Sequence, residues 1–196
     1  LDGLTAFGLR DKRWLNELPC EISSRISATI VDLEKEALEW ARSSHKEFPP
    51  SDGVGELQTF QGDLRTAVLS SGRHWIDIDP YGSPAPFIDS AMQSMARSGV
   101  MEVSATDTAA LTGSSKTALM RRYGARVRTD CLAHDSGMRV MLSCISRIAA
   151  RHDRAIEPLL SVWDSHHLRV SFRVVKTVSA ANELEERIGW RVFSPR

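Results

Sequence analysis

Cysteine is sparse in this sequence and scattered: Cys20, Cys131 and Cys144 are odd in number and far apart. No Cys-x-x-Cys pair and no Cys/His ligand spacing occurs, so neither a disulfide framework nor a structural zinc site is indicated. Long apolar runs are missing as well. No stretch approaches the roughly 20 residues that span a bilayer, and the N-terminus lacks the basic-then-apolar order of a secretory signal. A soluble cytoplasmic protein is the expectation. Glycine is short where a nucleotide loop would need it. Thr5-Ala-Phe-Gly-Leu-Arg10 carries one glycine in place of two or three, which gives no support to a Walker-type or dinucleotide-binding loop.

Net charge is absent too, at 25 basic against 25 acidic residues, but the balance is uneven along the chain. Residues 1–98 hold 15 acids against 10 bases, and residues 99–196 hold 10 against 15. That asymmetry is a better footprint of an anionic partner than the total. Arginine outnumbers lysine 20 to 5, and Arg121, Arg122, Arg126 and Arg128 fall within eight residues. Planar guanidinium groups suit bidentate contacts to RNA phosphates. A solvated helix end with local ion pairs explains the cluster equally well.

With 196 residues and 42% hydrophobic content, the chain can bury a full core. Its first eight residues read as the end of a strand running into a turn, so the domain is expected to be incomplete at its N-terminus. Helical spacing then covers 9–18. Strands at 28–32, 57–60, 75–78 and 100–105 alternate with helices at 33 to about 46, after Asp63, and from about 86 to 97, with a Pro/Ser/Gly loop at 49–55. This rhythm specifies a doubly wound parallel sheet. Beyond it, Ser114 and Ser115 can cap a helix to Tyr123, a second helix ends near Asp153, and runs at 159–163 and 168–175 form a hairpin. The tail reads as a charged helix over 180–189 and a short strand over 190–193, the opening of a further domain. Residues 1–176 and 177–196 are thus the expected division.

Ligands of a doubly wound sheet sit beyond the carboxyl ends of its strands. Asp2, Asp32, Asp63 and Asp79 fall there. Carboxylates at the second and third strand ends suit donors such as a ribose diol and an adenine amine; Asp63 can equally be a plain N-cap. The strongest signal is Asp77-Ile-Asp-Pro-Tyr-Gly-Ser-Pro84. A strand ending in two acids and then Pro80 is poor structure but a good rigid holder for an amine. An exocyclic nucleobase amine is a weak nucleophile because its lone pair is delocalised; a carboxylate that accepts its N–H bonds localises that pair and can take a proton. Tyr81 offers a stacking face. Asp79, next to Pro80, is the catalytic choice and Asp77 a supporting strand residue. A tight Pro/Gly turn is the ordinary alternative. His134 and Asp107 read as surface or turn residues, and His166 and His167 lack metal-like partners.

The segment from Asp77 to Ala91 resembles the signature of the tRNA guanine-N2 dimethyltransferases acting at position 26, a class I S-adenosylmethionine-dependent family. Val103-Ser-Ala-Thr-Asp-Thr-Ala-Ala-Leu-Thr-Gly113, Arg122-Tyr-Gly124, Gly137-Met-Arg139, Glu157-Pro-Leu-Leu-Ser161 and His166-His-Leu-Arg169 are similar to further family elements. The resemblance implies a mostly parallel, seven-stranded Rossmann-like methyltransferase sheet with an antiparallel last strand. It also implies one or two methylations of guanine N2 in tRNA, with S-adenosyl-L-methionine as cofactor and no metal. Asp2, Arg13 and Asp32 would bind the cofactor, Asp63 and Leu64 would frame its adenine, and Asp79, Pro80 and Tyr81 would hold the guanine. Departures from the family pattern are Tyr81 for Phe, Asp11 for Gly, Ala133-His-Asp135 for Cys-His-Glu and Ser165-His-His167 for Asp-His-Tyr. Two other readings keep the fold: the same chemistry on adenine N6 or a glutamine amide, and a non-catalytic RNA-binding relic.

Overall fold

The computed structural model describes residues 1–4, 8–49, 55–69, 72–192 and 194. The turn at 5–7, most of the Pro/Ser/Gly loop at 49–55 and Phe193 lie outside the described residues. In chain order the elements are β1 (Asp2–Gly3), α1 (Leu9–Glu17), α2 (Cys20–Ser23), β2 (Ser27–Asp32), α3 (Lys35–Glu47), β3 (Glu56–Gln61), α4 (Leu64–Val68) and β4 (Arg73–Ile78). Then follow α5 (Ala85–Ser94), β5 (Met95–Ala105), α6 (Thr108–Leu111), α7 (Lys116–Tyr123), α8 (Ala133–Arg151), β6 (Arg154–Asp164), β7 (His167–Lys176), α9 (Val178–Asn182) and α10 (Leu184–Arg187). The strands form one seven-stranded sheet in the order β3-β2-β1-β4-β5-β7-β6. Neighbours among β1 to β5 are parallel, and β7 is antiparallel to both β5 and β6. This is the expected α/β architecture, including the inserted hairpin, whose turn is residues 165–166.

Alternation along each strand gives the sheet two unlike faces. Val31, Ile76, Ile78, Met101, Val103, Leu168, Val170 and Phe172 point to one face, where they pack with Leu64, Ile88, Met92, Met141 and Ile145 of α4, α5 and α8 in the main core. The other face meets α3 through Ile30, Leu38 and Ala41. In register with Ile30, a row crosses that face through Asp2, Asp77, Glu102 and Ser171. Asp2 and Asp77 are almost fully buried, so this face carries charge under the site.

Two boundaries differ from the sequence-based expectation. The helix expected to reach residue 97 stops at Ser94, and β5 begins at Met95 instead of Val100. Met95 is extended and buried, it pairs with Arg73, and the guanidinium of Arg154 donates to the carbonyls of Met95 and Ala96. The extra residues make a bulge opposite 73–75, where Gly99 is needed because a Cβ there would meet the His74 carbonyl at 2.5 Å. In the tail, the single helix expected is split at Glu183, and residues 190–192 form no strand; Trp190 is 91% exposed.

α1 is held on the polar face by Leu15 and by Asp11, both buried. Asp11 lies beside Asp2, and no hydrogen-bond donor among the described residues satisfies either carboxyl. A proton shared between the two acids satisfies both. Burial raises both above the usual carboxylate range, Asp2 to about 8 with its like-charged neighbour adding to the effect.

Truncation of Phe172, the largest fully buried side chain, should cost about 3–5 kcal/mol, read as a fall in the urea midpoint of Phe172→Ala. The acid pair sets a pH dependence. Carboxyls that hold their protons more tightly when folded than at their ordinary value of 3.8 contribute stability that is complete below about pH 4 and is lost as pH rises toward about 8. Asp11→Asn should make that loss smaller, because it removes the like-charged neighbour that, after burial, helps hold the shared proton on Asp2. Denaturation midpoints measured from pH 4 to 8 check this, and an unchanged slope in the variant refutes the pairing.

Candidate active site

The strand order reverses between β1 and β4, so their carboxyl ends diverge and leave a crevice. A cleft of about 1060 Å³ opens there. Asp2, Arg13, Asp32, Asp79, Pro80 and Tyr81, all singled out from sequence, line it. Asp32, at the end of β2, accepts the Glu34 N–H through one carboxylate oxygen at 2.9 Å and keeps the other available to a donor in the cleft. Arg13 is on the wall but exposed and paired with Glu17 at 2.8 Å, so an incoming anionic group must compete with that carboxylate.

Asp63 and Leu64 do not line the cleft. Asp63 caps α4, accepting the Arg65 N–H at 2.8 Å, and its carboxylate is gripped by the Arg65 guanidinium, which lowers its pKa. Leu64 is buried in the core. Asp107 does not cap α6. Its shielded carboxylate accepts from the Tyr123 hydroxyl at 2.8 Å and from Arg122 at 2.9 Å, which ties α7 to the end of β5. His134 stacks on Trp163, with ring centres 4.6 Å apart.

The segment after β4 is fastened on both sides. The Thr106 hydroxyl accepts the Gly82 N–H at 2.7 Å, the Thr106 N–H donates to the Gly82 carbonyl at 2.9 Å, and the Ser83 hydroxyl bonds the Tyr123 hydroxyl at 2.9 Å. Gly82 has φ of +83°, a conformation that side-chain-bearing residues rarely adopt. Burial pushes the Tyr123 phenol upward, so it remains protonated and able to donate to Asp107. Pro80 is buried while the Tyr81 ring is wholly exposed at the mouth of the cleft. The result is a rigid loop that presents one carboxylate and one aromatic face.

Beneath that loop lies a charge cluster. Asp77, fully buried, ion-pairs with Arg10 from α1 and with Arg169 from β7, the latter at 2.6 Å. Arg10 also faces Asp2 at 3.6 Å and Asp79 at 3.8 Å. Arg169 also ion-pairs with Glu102, donates to the Ser104 hydroxyl at 2.8 Å and stands 4.0 Å from Asp79. Asp79 is therefore bracketed by two guanidiniums anchored on a deeper acid, and its side chain is still about one-third exposed. The bracket defines where its oxygens point without covering them.

Sequence reasoning assigned no role to Arg10, Arg169 or His167. His167 lines the cleft at the start of β7, and Thr106 lines it from the end of β5. A signal for Arg169 was present: a charged residue between Leu168 and Val170, both buried on the core face, must turn to the other face of the sheet. Its partner, 92 positions earlier in the chain, is visible only once the strands are in register.

The family model described as N2,N2-dimethylguanosine tRNA methyltransferase matches residues 1–194. The tRNA (guanine(26)-N(2))-dimethyltransferases of Thermoplasma acidophilum and Archaeoglobus fulgidus are similar to this chain, 38% identical over 191 residues and 33% over 194. Those alignments cover 97% and 98% of this chain but 52% and 51% of the relatives. Among solved structures, Trm1 from Pyrococcus horikoshii in complex with S-adenosyl-L-methionine superposes with a TM-score of 0.81 at 26% identity, over 93% of this chain and 52% of that one. The chain thus spans about half the length of the relatives it matches. Strand order, cleft and the sequence match over residues 1–194 agree, and the chain belongs to the N2,N2-dimethylguanosine tRNA methyltransferase family.

Proposed function

We propose that this chain carries the catalytic domain of an S-adenosylmethionine-dependent enzyme that methylates, once or twice, the N2 amine of guanine 26 in tRNA. The observation that carries the reading is Asp79, held at the end of β4 between Arg10 and Arg169 and open to a cleft at the switch point of the sheet. The names of the Thermoplasma and Archaeoglobus relatives support the substrate, and the Pyrococcus structure supports the cofactor. Within this reading, residues 1–176 form the catalytic unit, supported by the end of the last strand at Lys176. A cytoplasmic location follows from the substrate. Among the described residues, no helix is long and apolar enough to cross a membrane.

The donors and acceptors fit such a cofactor. Asp32 has a free carboxylate oxygen for a ribose hydroxyl, Leu9, Leu33 and Ala37 give apolar wall, and Asp2 faces the same space as a further polar group. Asp63, bound to Arg65, and buried Leu64 belong to this set at one remove, as the support of the turn behind the β3 end. The bound cofactor would supply an electrophilic methyl group, its sulfonium–methyl bond breaking to leave a neutral thioether as N2 gains the carbon. On the other side, the Asp79 carboxylate accepts N–H bonds from the guanine amine, which restores lone-pair character to N2, and takes the proton released as the new N–C bond forms. Tyr81 stacks on the base once it has left its helix, an extrusion that costs a few kcal/mol. Arg10 and Arg169 are positioning residues: they hold Asp79 in the geometry that proximity catalysis needs. Arg121, Arg122, Arg126 and Arg128, on α7 and the segment after it, offer phosphate contacts to the RNA, Arg122 with the donors not used on Asp107.

Transfer of labelled methyl from S-adenosylmethionine to a tRNA transcript tests the reading. Asp79→Ala should lower the rate roughly 10²–10⁴-fold, and a transcript with adenine at position 26 should accept no methyl; an undiminished rate in either case overturns the assignment. For Arg169→Gln the expectation is a fall in kcat of roughly 10²-fold with cofactor affinity unchanged, since a misplaced carboxylate costs about that much. Arg169→Lys should recover part of the rate. Equal losses of kcat and cofactor affinity would show a general structural role instead.

A further inference from the structure

Away from the catalytic cleft, a second cleft of about 510 Å³ lies between α7, α8 and residues 189–191. Its walls carry Arg126, Arg128, Arg139, Arg147 and Arg191 beside the exposed ring of Trp190. Arg139, Ser143 and Arg147 repeat every four residues, so they form one stripe along α8. The tail is fixed against this stripe: Arg191 donates to the Ser136 hydroxyl at 2.7 Å and to Asp130 at 2.6 Å. Asp130 is the sole acid lining the cleft, Arg139 pairs with Asp135, and Arg126 and Arg147 have no acidic partner among the described residues.

We propose that this cleft is a second RNA-binding site, which takes sugar-phosphate backbone of the tRNA on Arg126 and Arg147 and stacks an unpaired or terminal base on Trp190; the inference rests on the proposed function. Excess guanidinium over carboxylate selects a phosphate chain, and an aromatic face among cations is the pattern of single-stranded RNA sites. The cleft is also coupled to the catalytic loop. Tyr123, the last residue of α7, holds Ser83 and Asp107, and the chain enters the second cleft at the next residue, Gly124, whose left-handed backbone ends the helix. Arg126 follows within about 11 Å of Tyr123, at 3.8 Å per residue. One tRNA can thus engage both clefts, with the backbone held on one side while the target base enters the other. Of the four arginines grouped in the sequence, Arg122 braces Asp107 at the catalytic loop, and Arg126 and Arg128 line the second cleft.

The test uses the full-length protein and an unmodified tRNA transcript, with binding read by fluorescence titration and methyl transfer measured in parallel. The double substitution Arg126→Gln with Arg147→Gln should weaken tRNA binding about tenfold per arginine and raise KM for tRNA to match. It should make the log–log salt dependence shallower by about 0.7–0.9 per lost phosphate contact. The affinity for S-adenosylhomocysteine, which would bind in the other cleft, should not change. Trp190→Ala should weaken binding without altering the salt slope, and Arg147→Lys should keep the slope. Unchanged tRNA affinity and salt slope in the double variant overturn the proposal, as does a loss of binding with no change in slope. If the wild-type protein binds tRNA through these arginines but transfers no methyl group, the proposed function fails and the binding site stands.

Discussion

The buried carboxylate of Asp77 is the constraint on which the rest of the site depends. A charge with no exposure to water is tolerated only when paired and hydrogen-bonded, and breaking such a pair typically costs 3–5 kcal/mol. Asp77 is paired through one carboxylate oxygen with two arginines from opposite ends of the described chain, Arg10 on α1 and Arg169 on β7, while its other oxygen has no hydrogen-bond partner among the described residues. Each guanidinium has donors left over after serving Asp77, and each directs some of them at Asp79. Placing the supporting acid two residues before the working one puts both on the same side of an extended strand. Folding energy and site geometry therefore come from the same contacts: the ion pairs that make Asp77 tolerable are those that aim Asp79.

The same economy appears at the rim. Asp107 is shielded and would be costly alone, so Tyr123 and Arg122 satisfy it; in doing so they pin α7, and the Tyr123 hydroxyl passes the restraint on to Ser83. Thr106 locks Gly82 from the next position along. The loop from Asp79 to Pro84 is consequently restrained by β5, α7 and β7, three elements that are distant in sequence. The site has little local structure of its own, and its rigidity is tertiary. That suits the role proposed for Asp79, a carboxylate that keeps a weak nucleophile in line, since about 1 Å of displacement can cost 10²-fold in rate.

How much of this the sequence could reveal follows from the range over which each signal acts. Strand and helix identities were legible because periodicity is local: the runs at 28–32, 57–60, 75–78 and 100–105 all lie within observed strands. Asp32 and Asp79 were legible because a strand end followed by an acid is read within a few residues. The α5 to β5 boundary was not, because Met95-Ala-Arg-Ser98 is neutral between helix and strand, and what decides it is Arg154, nearly sixty positions later. Arg10 was invisible for the same reason, and of Arg169 only the turn away from the core face was legible, not its partner. A charged residue in a turn or strand looks solvated until the register shows an acid beneath it. Asp63 shows the limit from the other side: at a strand end, a ligand-binding acid and a helix cap have the same local pattern, and only its partner Arg65 and the position of the cleft separate their geometries.

The two faces of the sheet also divide the labour of the fold. The main core is apolar and continuous from β2 to β7, which leaves the opposite face free to carry the row Asp2, Asp77 and Glu102 with Arg169 above it. A sheet with apolar residues on both faces would bury more hydrophobic area, but it could not present fixed charges at the switch point. The cost is concentrated in Asp2 and Asp11, which meet without a donor between them and which burial pushes above the usual carboxylate range, Asp2 to about 8. An acid pair of this kind is weak support for a fold at neutral pH. It places a proton-bearing polar group on the wall of the cleft, next to Arg10, where a ligand can supply the missing partners.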